Sequence, residues 1–287
     1  MLKARIIALV IIRNNLCVQS VGFERYLPVG RPEVAIEHLD AWGVDEIICL
    51  HIDKAGRRAD YFQRIENYAK YCHVPLAVGG GISTMAHFSK AVSLGADKVV
   101  MNTALATAPD LVEDAARRYG SQSVVASVDY RREERGHRAW ICGGKVQAGA
   151  GPKDLALRAQ ELGAGEIMLN CIDRDGKRTG YDLEMLEAIL QSISIPVIVA
   201  GGAGTPEHLE QAIKAGASAV AAGNYFHFSE HSVTLAKRYL ADKGHLVRLD
   251  SPFRYEGAAL DETGRLTKRS AGELSKLRFM KIEPVVI

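Results

Sequence analysis

Asp129 closes the apolar run Val124-Val-Ala-Ser-Val-Asp129. A carboxylate at the end of a buried strand suits proton transfer at the mouth of a fold. The same residue could equally cap a helix or pair with Arg131 or Arg132. Two glycine loops carry a second kind of chemistry, Val74-Pro-Leu-Ala-Val-Gly-Gly-Gly-Ile-Ser-Thr84 and Ile195-Pro-Val-Ile-Val-Ala-Gly-Gly-Ala-Gly-Thr205. In each, a strand-like run meets glycines and then a threonine N-cap, with Pro206 at the first helical position of the later copy. Glycine lets a backbone approach a ligand closely, and the helix start behind it offers free N–H groups to an anion. A tight turn that binds nothing would look the same.

The two loops are copies. Pro75 and Pro196 lie 121 residues apart, Glu46 and Glu166 120, and Ala8 and Ala126 118. Nearly constant offsets over three segments indicate a duplicated half-domain. The repeat yields two equivalent anion cradles, Gly80 and Gly81 with Asn102 and Thr103, and Gly201 and Gly202 with Gly223 and Asn224. Asp175-Gly176, at the end of the sixth strand, is a further candidate for binding the phosphorylated substrate. Two cradles across one mouth predict a substrate with two phosphates, unless both are turns inherited from one ancestor. The repeat partner of Asp129 is Ile11, so the twofold-related acid is missing.

These groups need a scaffold. Strand-like runs near 4–11, 46–52, 75–79, 97–101, 123–129, 166–172, 197–200 and 219–222 alternate with amphipathic helical segments. Eight such units with a twofold repeat predict a (β/α)8 TIM barrel over 1–249. An open doubly wound sheet would not need equivalent halves. In barrels, functional groups gather at the C-terminal strand ends. Arg13 to Arg31 reads as a mobile loop over that face, and Tyr130 to Gly151 as a small hairpin bracketed by glycines. Residues 250–287 fall outside the repeat, with Ser270 placed to cap a short helix.

At the opposite mouth Arg5, Glu46, Lys98 and Glu166 each begin a strand. Two cations and two anions at matched depth could close a ring of salt bridges, and a structural lid on the barrel floor is the simplest purpose for one.

Composition narrows the partners. The 36 basic and 34 acidic residues balance, giving no reason to expect nucleic acid or an anionic membrane. No apolar run approaches a membrane span. Five cysteines without a C-x-x-C pair favour reduced thiols in a cytoplasmic enzyme over disulfides or a zinc site. Nothing points to a cofactor or a metal.

The residues also carry a resemblance. Ala77-Val-Gly-Gly-Gly-Ile82, Asn102-Thr-Ala104, Ile172-Asp-Arg-Asp-Gly176, Gly180-Tyr-Asp182 and Gly201-Gly-Ala-Gly204 resemble the cyclase subunit of imidazole glycerol phosphate synthase. The likeness extends over roughly residues 1–249. It implies a glutaminase subunit docked on the barrel floor, releasing ammonia that crosses the barrel to a bisphosphorylated substrate. It further implies that Arg5, Glu46, Lys98 and Glu166 form an ammonia gate, with Asp97 at the docking surface. That family uses two catalytic aspartates, at the positions of Ile11 and Asp129, and has other residues at Gln19, His51 and Ala77. With an aliphatic residue at position 11, the chain is more similar to a paralogous group associated with sugar amidation in surface-polysaccharide synthesis. There the barrel is expected to pass ammonia towards an amidotransferase acting on a nucleotide-linked sugar.

Overall fold

The computed structural model describes residues 3–53, 61–134, 136–229, 231–255, 258–261, 265–267 and 270–276. The N-terminal half contains β1 (Arg5–Arg13), β2 (Leu16–Val21), β3 (Arg25–Gly30), α1 (Pro32–Ala41), β4 (Glu46–His51), α2 (Tyr61–Tyr71), β5 (Leu76–Gly79), α3 (Met85–Ser93), β6 (Lys98–Met101), α4 (Thr103–Thr107) and α5 (Pro109–Tyr119). The C-terminal half contains β7 (Val124–Glu133), β8 (Gly136–Ile141), β9 (Val146–Gln147), α6 (Pro152–Glu161), β10 (Glu166–Cys171), α7 (Leu183–Leu190), β11 (Val197–Ala200), α8 (Pro206–Lys214), β12 (Ala219–Ala222) and α9 (Ser232–Asp242). A single helical turn, α10 (Ala271–Leu274), follows Ser270.

Strands β1, β4, β5, β6, β7, β10, β11 and β12 pair in parallel in that order, and β12 returns to β1 to close the barrel. Strands covered on both faces must be apolar on both, so each reads as a continuous run instead of an alternating one. The period of two still sorts their side chains. Ile7, Leu9, Ile48, Val100, Val125, Met168 and Ile198 fill the interior beside Ala77, Ala200, Ala219 and Ala221. Their neighbours Ile6, Ala8, Val10, Ile47 and Cys49 face the helices.

The duplication persists in the backbone. Thr84 and Thr205 cap α3 and α8 with φ/ψ of −145/158° and −145/160°, each accepting from the N–H three residues on. Gly80 and Gly201 have φ of +103° and +83°. A Cβ on them would lie 2.0 Å from the His51 carbonyl oxygen and 2.5 Å from that of Cys171. Those two carbonyls are themselves repeat partners, so the glycines are required by one shared close approach.

Residues 13–31, read from the sequence as a mobile loop, contain the β2–β3 hairpin. Arg13 pairs with Leu16 across Asn14-Asn15, whose φ values of 49° and 66° make a two-residue turn of the kind that matches strand twist. Its twofold counterpart is the β7–β8–β9 hairpin, which lies where the sequence predicts one. Helix α4 is extra to the one helix expected after each strand, since α5 also follows β6. After α9 the chain straps the barrel's lower edge. Leu246 accepts from the Ala4 N–H, and Arg248 and buried Lys237 both meet Asp45, at 3.0 and 2.7 Å. Among the described residues, no helix is long and apolar enough to cross a membrane.

Candidate active site

At the C-terminal strand ends lies a cavity of about 1070 Å³. Its floor and walls include Ile11 of β1, Leu50 of β4, Gly80 and Gly81 after β5, Asn102 and Thr103 after β6, and Asp129 of β7. Register explains the convergence. Asp129 sits opposite Asn170 in the β7–β10 pairing, two residues beyond Ser127 on the same inward face.

Asp129 is buried and accepts from Ser127 Oγ at 2.9 Å, with the Asn170 side chain as a second donor. Burial pushes its carboxyl up to about 6, against the two hydrogen bonds that favour the ion. A carboxylate poised near neutrality suits proton transfer. The repeat equivalents of Ser127, Asp129 and Asn170 are Leu9, Ile11 and Leu50. The whole polar trio is therefore aliphatic in the other half, not only the acid. Ser127 and Asn170 were missed by sequence reasoning, although a polar residue at an inward position of an apolar strand was the available signal.

In the first cradle, the Asn102 amide donates to the carbonyls of Ser127 and Trp140 at 3.1 and 3.2 Å. Thr103 Oγ accepts from the Cys142 N–H at 3.1 Å. Both side chains thus fasten the β8 hairpin, leaving backbone as the main ligand-facing surface. The hairpins bring three further cations to the cavity, Arg13, Arg131 and Lys145. Arg13 lies over the Tyr26 ring and Arg131 over Trp140. His51 is buried against Tyr61 and Tyr68.

The second cradle is arranged differently. None of Asp175, Gly176, Gly201, Gly202, Gly223 and Asn224 lines the cavity as described. The Asn224 amide donates to the Ser20 carbonyl at 2.7 Å and accepts from the Ser20 N–H at 3.1 Å. Asp175 accepts from Ser20 Oγ at 2.6 Å and from the Phe23 N–H at 3.4 Å, and its own carbonyl accepts from the Gly22 N–H. Burial raises the Asp175 carboxyl to about 6.

At the barrel floor the four charged residues meet in a closed ring. Arg5 reaches Glu46 at 2.9 Å and Glu166 at 2.7 Å, and Lys98 reaches the same two at 2.8 and 2.9 Å. Glu46 is 1% exposed, and burial, opposed by Lys98, raises its carboxyl. The ring sits directly beneath the apolar interior layer, since Arg5 precedes Ile7 on the inward face of β1. Asp97 is exposed beside Lys98, with one carboxylate oxygen accepting from the Leu76 N–H at 2.8 Å. Among the described residues, no group of three or more His, Cys, Asp or Glu could hold a metal ion.

A family of histidine biosynthesis proteins matches residues 5–232. A Vibrio vulnificus protein, provisionally named imidazole glycerol phosphate synthase subunit hisF2, is 39% identical over 92% of this chain and 98% of its own length. The imidazole glycerol phosphate synthase subunit HisF of Streptomyces coelicolor is 41% identical over 86% of this chain and 99% of its own length. The HisF subunit of Caulobacter vibrioides is 38% identical over 88% and 98% respectively. With its closed eightfold barrel and full-length likeness to these subunits, the chain belongs to the histidine biosynthesis protein family, as a protein like the cyclase subunit of imidazole glycerol phosphate synthase.

Proposed function

We propose that this protein is the synthase subunit of a glutamine-dependent complex, receiving ammonia from a glutaminase at the floor and delivering it to a phosphorylated compound at the mouth. Its biological output is amidation of a nucleotide-linked sugar for surface polysaccharide. The observation that carries this reading is the pairing of a complete salt-bridge ring with a half-empty catalytic constellation: all four ring residues are in contact, whereas Ile11 faces the cavity that holds Asp129.

The chemistry follows from the layers. Ammonium carries a charge that the apolar interior excludes, because burying an unpaired ion costs far more than burying a neutral amine. Neutral ammonia can pass once one ion pair of the ring opens. At the mouth, Asp129 is placed to take or return the proton that ammonia gains or loses on reacting. Without a second carboxylate, a cyclisation needing paired acids loses about 10²–10⁴-fold, the range of a single positioned acid or base.

The test compares nitrogen sources. Lys98→Glu should depress glutamine-dependent activity of the complex far more than ammonia-dependent activity, and equal loss in both would remove the gate. If the gene alone rescued a histidine auxotroph lacking the cyclase, the sugar-amidation output would be wrong.

A second reading, a working histidine-pathway cyclase, is favoured by the intact Asp129, Ser127 and Asn170 cluster. Turnover with ammonium as sole nitrogen source, at a rate matching the Streptomyces relative, would establish it.

A further inference from the structure

We infer that the C-terminal extension completes a binding site for a phosphate-class oxyanion beside α9, with Arg265 of the extension and Arg178 of the loop after β10 as its two cations. Neither arginine belongs to the floor ring, the acid cluster or the first cradle, so the site stands apart from the ammonia route. Gly201, Gly202, Gly223 and Asn224 of the second cradle are not among the residues that line it.

The tail reaches this place by contacts that do not use the Arg265 side chain. Ser251 Oγ donates to the Ala41 carbonyl at 3.1 Å, and Phe253 stacks on His231 with ring centroids 3.9 Å apart. His231 immediately precedes α9, and that end of the helix lies towards the mouth because α9 follows β12. Further on, Leu260 bridges Leu266, and the Asp261 N–H donates to the Arg265 carbonyl at 2.8 Å. Asp261 Oδ1 accepts in turn from the Arg265 N–H at 2.9 Å. This turn fixes the Arg265 backbone and leaves its guanidinium to the barrel.

On the barrel side Arg178 is also held. Its Nη2 donates to the Gly204 carbonyl at 3.5 Å, and its guanidinium lies 5.0 Å over the Phe228 ring. The two arginines line one hollow with Tyr225 and Ser229, and both act on the buried Tyr225 hydroxyl. Among the described residues, neither guanidinium forms an ion pair with a carboxylate. The surrounding field is positive as well: burial, Arg174 and Arg178 together hold the His208 imidazole below its ordinary range, against Glu207. Like charges so placed repel, and an anion between them replaces repulsion with charge-assisted hydrogen bonds. The guanidinium fork matches a phosphate oxyanion in shape, and Ser229 adds a hydroxyl donor.

Hydrogen exchange of the full chain, with and without inorganic phosphate, tests this. At about ten times its dissociation constant, phosphate should slow exchange at the Asp261 and Thr267 amides, both bonded within the turn, by about tenfold. Phosphate on the first cradle alone would leave these amides unchanged, since no described residue of the extension lines the mouth cavity. Arg178→Gln and Arg265→Gln should each abolish the slowing, whereas Arg265→Lys, which keeps the charge, should retain part of it. No slowing in wild type, or equal slowing in Arg265→Gln, would overturn the inference. Without phosphate, the variants should exchange no faster than wild type. Faster exchange there would make Arg265 a strut of the turn and overturn the anion site. Ribose 5-phosphate identifies the source: slowing at a lower concentration than inorganic phosphate assigns the site to a phosphate ester, and slowing by inorganic phosphate alone assigns it to the free ion. Either result upholds the site.

Discussion

The two halves of the barrel are near copies in backbone and differ most at the mouth. In the N-terminal half the glycine cradle opens into the cavity, and the three positions equivalent to Ser127, Asp129 and Asn170 are Leu9, Ile11 and Leu50. In the C-terminal half the acid and its two hydrogen-bonding neighbours persist, and the Asn224 side chain pairs with Ser20 of β2. In the proposed reading, the C-terminal half supplies the proton-transfer group that the N-terminal half lacks. Beneath both, the ring takes Arg5, Glu46 and Lys98 from the N-terminal half and Glu166 from the C-terminal half, and it is closed. A duplicated fold can thus keep its scaffold symmetric while its chemistry becomes one-sided.

The largest expected effect tests the retained acid. Asp129→Asn should remove a further 10²–10⁴-fold of any turnover, the range for a single positioned proton-transfer group, measured with ammonium supplied directly. A change under threefold would mean that the C-terminal half has lost its chemistry as well.

Next comes the shared floor. Lys98→Met leaves Glu46 and Glu166 with Arg5 alone, and breaking a buried pair in this way costs about 3–5 kcal/mol. Denaturant unfolding should report a loss of that order, trimmed by the partial exposure of Lys98. No loss would make the ring a solvated decoration.

The third prediction concerns pH. Asp129 rises from an ordinary 3.8 to about 6, chiefly through burial, so the folded state holds its proton more tightly than the unfolded chain. The stability this contributes is full below pH 4 and is lost as pH rises through 6. A shift of about two units corresponds to about 3 kcal/mol. Asp129→Asn should therefore raise the melting temperature at pH 8 and leave it nearly unchanged at pH 4. An equal shift at both values would exclude a titrating Asp129 as the cause.

Much of this arrangement is legible in the sequence. Constant offsets reveal the duplication, apolar runs mark the strands, and alternation from Ile7 outwards puts Arg5 and Ile11 on the inward face. What escapes is long-range polar pairing. Nothing local to Asn224 shows that its side chain will meet Ser20, two hundred positions earlier. Strands β2 and β3 escape for a local reason: Asn14-Asn15 carries the β1–β2 turn, but the glycines and polar residues beyond it read as a mobile loop.

The central claim, that binding has been kept while paired-acid chemistry has not, rests on position 11. Its most direct test is kcat for ammonium-dependent cyclisation at saturating bisphosphorylated substrate, where affinity at either cradle drops out. Ile11→Asp should exceed wild type at least tenfold. A wild-type kcat equal to or above that of Ile11→Asp would contradict the account.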